Sequence, residues 1–118
     1  MISDVMDYLR FYYLENYLFE EVRLRFLKNR FLSADDFFCI VIWKANRSKS
    51  KIGIRLLGKG YGSLEAAVKD LTLGIFHHDT SKEKLKYLMV DWGINLPMAS
   101  AILTIFYTVP MLLRLKQS

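Results

Sequence analysis

His77 and His78 stand side by side, with Asp70 and Asp79 close by in the chain. Imidazole with carboxylate is material for a transition-metal site. Ligands on a helix, however, must recur three or four residues apart to share a face, and adjacent side chains diverge. The pair is therefore expected to cap a helix C-terminus, where partial negative charge favours histidine. "GIRLLGKG", Gly53 to Gly60, comes close to a phosphate-cradling loop. It has two glycines and Lys59, but Gly60 stands where a Ser or Thr hydroxyl must reach magnesium. Only "RSKSK" leads into it, not an apolar strand, and no later strand ends in an acidic ligand. Nucleotide hydrolysis is not expected. Cys39, inside "FFCIVIW", reads as a small buried apolar side chain. A single cysteine excludes a disulfide framework and suits a reducing, cytoplasmic compartment.

The cationic residues are more telling. The 118-residue chain has a net charge of +5, and the excess is concentrated. Residues 37–62 carry Lys44, Arg47, Lys49, Lys51, Arg55 and Lys59 and no acid. Such a segment attracts polyanions, whether nucleic acid or an anionic membrane surface. A solvated helix face is the plain alternative.

These side chains need elements to hold them. Hydrophobic residues make up 53% of the chain, which excludes disorder, and this length allows one domain with a modest core. The fold class predicted is all-α, a small bundle of about five helices. Ser3 caps a first helix running to about Lys28, with apolar residues from Val5 to Leu18 at helical spacing. Its aromatic residues read as core. Ser33 caps a second, with Asp35 and Asp36 in its first turn. "FFCIVIW" is apolar on every side, so this helix is expected to be buried and to carry on into the basic segment. "GKGYG" is a break. Ser63 caps a third helix with a stripe of Leu64, Ala67, Val68, Leu71 and Ile75. Thr80 and Glu83 have capping-box spacing and open a fourth, with Leu85, Leu88 and Met89 on one face. "MISDVMD" lacks the basic start of a signal peptide.

Leu96 to Leu113 holds no charge over 18 positions, the threshold for a membrane span, and Arg114 and Lys116 follow it. Pro97 suits a helix first turn instead, and Pro110 cuts the run. Ala99, Ser100 and Ala101 suit close helix packing. "WGIN" is a compact turn, in which Gly93 adopts positive φ freely and Asn95 tolerates it. Helix, tight turn, helix makes a hairpin, and no membrane span is favoured.

"LKYLMVDWGINLPMASAIL" resembles the helix-hairpin-helix motif of the DNA-glycosylase superfamily, placing the motif at about residues 82–106. Gly93, Ile94 and Asn95 fall on its Gly-apolar-Gly turn, with Asn95 replacing the second Gly. Ala99 falls on the packing Ala, and Ile102 and Leu103 on the buried pair after it. "FFCIVIWKANRSKSKI" is similar to the helical region before this motif in bacterial relatives, so the resemblance spans roughly Phe37 to Tyr107. It implies DNA binding through phosphate, with no base edge read. The donors implied are the N–H groups of Gly93, Asn95, Leu96 and Met98. Lys44, Arg47, Lys49, Lys51 and Arg55 supply attraction. In the family, hairpin carbonyls can also hold a monovalent cation, here near Met89, Asp91 and Ile94, although Asp91 and Trp92 depart from the usual Leu-Pro. No other cofactor is expected.

Catalysis in that superfamily requires a carboxylate beyond the hairpin, and some members use a hairpin Lys as nucleophile. Those positions align with about Leu115 and with Pro97, and no Asp or Glu follows Asp91. The expectation is a binding module without catalytic residues. The alternative, a partial glycosylase-like repair enzyme, needs an acid from another chain or from Asp79 or Asp91. A helical protein-interaction domain is a further alternative, with the apolar segment Ile105 to Leu115 offering a homodimer surface.

Overall fold

The computed structural model describes residues 12–107. The expected Ser3 cap, Pro110 and the stretch around Leu115 lie outside the described residues. The architecture is all-α, with no strand among the described residues.

Helix α1 covers residues 12–29, with a π turn at Leu18–Val22 before α geometry resumes over Arg23–Asn29. Its buried residues, Leu18, Val22 and Phe26, are spaced by four. At 3.6 residues per turn, every fourth residue of an α-helix overshoots by about 40°. The wider π turn takes back that drift and keeps the three side chains in line. Of the aromatics expected in the core, Tyr12 and Tyr13 are exposed. Arg30 ends the helix in the left-handed region at φ 69°.

Ser33 caps α2, Ala34–Ala45, accepting the Asp36 N–H at 3.2 Å. Phe37, Ile40 and Val41 are buried, but Ile42 is 39% exposed and Cys39 half-buried. The expected all-round burial is therefore corrected: α4 and α6 cover the inner side of α2, and Ile42 faces outward. Nor does the helix run on into the basic segment. The chain breaks through a 3-10 turn, Asn46–Ser48, and restarts as α3, Lys49–Leu57. One predicted helix is thus two, and α3 is free to lie at its own angle.

Helix α4 is Leu64–His77, capped by the Ser63 hydroxyl on the Ala66 N–H at 3.2 Å. Its predicted stripe is the core face, with Leu64 half-buried at its edge. Thr72 on the same helix accepts the Leu32 N–H at 3.0 Å and donates to the Val68 carbonyl at 2.8 Å. Helix α5 covers residues 81–91, Ser81–Lys86 followed by a second π turn, Tyr87–Asp91. Thr80 accepts the Glu83 N–H at 3.1 Å, and the Glu83 carboxylate accepts from Asp79 at 3.2 Å. Its buried residues are Lys84 and Leu88, and buried Trp92 follows just past its end, again four apart. The expected Leu85–Leu88–Met89 face is corrected: the π turn shifts the register, and Met89 is 38% exposed.

Helix α6, Leu96–Tyr107, closes the core. Phe106 stacks on Phe26 at 3.8 Å and 4° between planes. Ala99 and Ala101 are buried, while Ser100 faces solvent. Ile105 and Phe106 are fully buried, so they cannot form the exposed surface suggested for a second copy; residues 108–115 of that segment lie outside the described residues. No helix among the described residues is long and apolar enough to cross a membrane.

Candidate nucleic-acid interface

The turn between α5 and α6 begins with Gly93 at φ 65°. The Ile94 N–H reaches back to the Leu88 carbonyl at 3.0 Å, a span of six residues. An α-helical end closes over five; the π turn adds the extra residue. Asn95 does not use its tolerance of positive φ. Instead it is the N-cap of α6: its side-chain oxygen accepts the Met98 N–H at 2.9 Å and its carbonyl accepts from Ala99 at 2.9 Å.

That cap corrects one expected contact. The Met98 N–H is already taken, and the residue is buried at 3% exposure. Pro97 has no N–H. Asn95 and Leu96 begin the helix at the surface, and no acceptor among the described residues takes their N–H groups or that of Gly93. Gly93, Asn95 and Leu96 are thus exposed residues at the positive end of a twelve-residue helix.

Helix α3 lies against this turn. Leu56 is buried and anchors it. Lys51 and Arg55, one helical turn apart, both border a cleft between α3 and the hairpin. The Arg55 guanidinium donates to the Gly93 carbonyl. The Lys59 ammonium donates to the Asp91 carbonyl and lies 5.3 Å from the Trp92 ring centroid. Tyr61 stacks on Trp92 at 5.8 Å and hydrogen-bonds Asp70, which raises the Tyr61 pKa.

The cleft has a volume of about 190 Å³. Ile52, Leu56, Trp92, Ile94 and Met98 supply apolar lining; Ser48, Lys51, Arg55, Gly93 and Asn95 supply the polar groups. The structure thus brings Lys51, Arg55, Gly93 and Asn95 together, with Met98 as an apolar wall. Leu96 sits beside them, 50% exposed at the start of α6. It does not gather the others. Lys49 borders an open apolar groove with Phe38, Ile54 and Leu57 on the opposite side of α3. Lys44 and Arg47 are exposed near the α2–α3 junction and do not line the cleft. Sequence reasoning missed Ser48, Ile52 and Trp92 as cleft residues. The first two fall with Lys51 and Arg55 at spacings of three and four, the signal that would have placed them on one helix face.

Of the carbonyls expected near a monovalent cation, that of Asp91 accepts from the Lys59 ammonium; the carbonyl of Gly93, beside them, accepts from the Arg55 guanidinium. Among the described residues, no cluster of three or more His, Cys, Asp or Glu side chains is placed to hold a metal.

The other chemical signals resolve into structure. The His78 Nδ1 lies 2.8 Å from the Gly74 carbonyl at the end of α4, the capping role expected. Most of "GIRLLGKG" is helical, within α3, so it forms no phosphate-cradling loop. Burial, then the charge of Asp36, pushes the Cys39 thiol up, away from the reactive thiolate. Asp79 and Asp91 are exposed, and neither lines the cleft. Comparison with family models, curated proteins and solved structures finds no match to this chain.

Proposed function

We propose that the protein is a non-sequence-specific DNA-binding module, gripping phosphate at the α5–α6 hairpin in the manner of the helix-hairpin-helix proteins it resembles. One observation carries this reading. Lys51 and Arg55 border the same cleft as Gly93 and Asn95, in the turn that opens α6. A phosphate oxygen there meets the start of α6, its dipole and two cationic side chains at once. Arg55 spends a donor on Gly93, but a guanidinium has five. Lys44, Arg47 and Lys49, exposed elsewhere, add attraction at longer range.

The cleft lining contains no carboxylate, imidazole or thiol. Phosphate contacts without base contacts predict a dissociation constant of ~10⁻⁴ to 10⁻⁶ M at physiological salt. A fluorescence anisotropy titration of labelled duplex DNA at low and physiological salt tests the reading. Absence of binding at low salt removes it.

A further inference from the structure

We infer that the cleft between α3 and the hairpin receives one unstacked nucleotide, so that the protein prefers single-stranded to duplex nucleic acid. The inference rests on the nucleic-acid reading above and adds the form of the ligand.

A phosphate site alone requires donors and charge. This one also has an apolar interior, in which Ile52 and Met98 face a cavity of about 190 Å³. Drug-sized ligands occupy ~300 Å³ or more, so the cavity suits something smaller. Lys51, Arg55 and Asn95 place charge and polarity among the same lining. A ligand that satisfies both parts is anionic at one end and flat and apolar at the other. A nucleotide has that shape, with the base against Ile52 and Met98 and its phosphate at Lys51 and the α6 start. In a duplex the base faces are stacked and cannot enter; in a single strand they can be splayed out.

The test compares three labelled probes by anisotropy at one salt concentration. They are a short oligothymidine, an abasic sugar-phosphate strand with the same number of phosphates, and a duplex of the same length. The abasic strand and the duplex are each expected to bind about tenfold more weakly than oligothymidine, a difference of about 1.4 kcal/mol. Ile52→Gln replaces an apolar wall without changing charge. It is expected to bring oligothymidine binding down to the abasic level. Equal binding of the oligothymidine and abasic strands by the unmodified protein overturns the nucleotide cleft and leaves the phosphate grip standing. Failure of all three probes to bind overturns both.

Discussion

The guanidinium of Arg55 donates a hydrogen bond to the carbonyl oxygen of Gly93. One residue comes from the basic helix α3 and the other from the tight turn before α6, 38 positions later. This contact holds the cationic helix against the hairpin. The backbone conformation at position 93 favours a residue without a side chain. The residue lies at φ 65°, and a Cβ there would stand 2.9 Å from the Arg55 Nη1.

Gly93→Ala is therefore expected to cost about 1–2 kcal/mol through the left-handed backbone alone, with more where Arg55 must move. Urea unfolding followed by circular dichroism measures it. An unchanged midpoint would show that the turn does not depend on a glycine.

The Asp91 and Gly93 carbonyls already accept from positive side chains, which would compete with a dissolved ion. Exchanging sodium for potassium at constant ionic strength is expected to change duplex affinity by no more than about twofold, or ~0.4 kcal/mol. A strong preference for one ion would mean that Lys59 yields its place.

Thr72 is fully buried and accepts the Leu32 N–H at 3.0 Å. Thr72→Val keeps the shape but leaves that N–H without its acceptor. The expected loss is about 1–3 kcal/mol, the cost of an unsatisfied buried donor. Thr72→Ser, which restores an acceptor, is expected to recover part of it in the same unfolding measurement.

Tyr87 donates to the Leu71 carbonyl at 3.1 Å, and burial pushes its pKa from 10.0 to about 12. A raised tyrosine pKa means that the folded state holds its proton more tightly than the unfolded state. The resulting stability is complete below pH 10.0 and is lost as pH rises towards about 12. Unfolding at a series of alkaline pH values is expected to show that decline, and Tyr87→Phe to flatten it. An equal decline in the variant would assign it to other groups.

Much of the fold was legible in the chain because its signals are local. Ser33, Ser63 and Thr80 each cap the helix they precede, as short hydroxyl side chains before an apolar run do. The Gly93 turn was legible for the same reason. The π turns were not, since an extra residue in a turn has no residue type of its own; only burial every fourth position reveals it. Asn95 illustrates a choice between two roles open to one side chain. Tolerance of positive φ and helix capping both suit asparagine, and the neighbouring N–H of Met98 decides for the cap. At the cleft, charge pattern marked Lys51 and Arg55 but did not separate them from Lys49, which the helix turns to the other side. The contacts of Arg55 and Lys59 with hairpin carbonyls join residues more than thirty apart, a distance over which local pattern carries no information.

The salt dependence of duplex binding tests the central claim most directly. The logarithm of the binding constant is expected to fall linearly with the logarithm of salt concentration, with a slope near −0.9 per phosphate neutralised. Lys51→Gln is expected to reduce that slope by about one and to weaken all duplex sequences alike. A flat salt profile, or a Lys51→Gln variant that binds like the unmodified protein, would contradict a phosphate held between α3 and the hairpin.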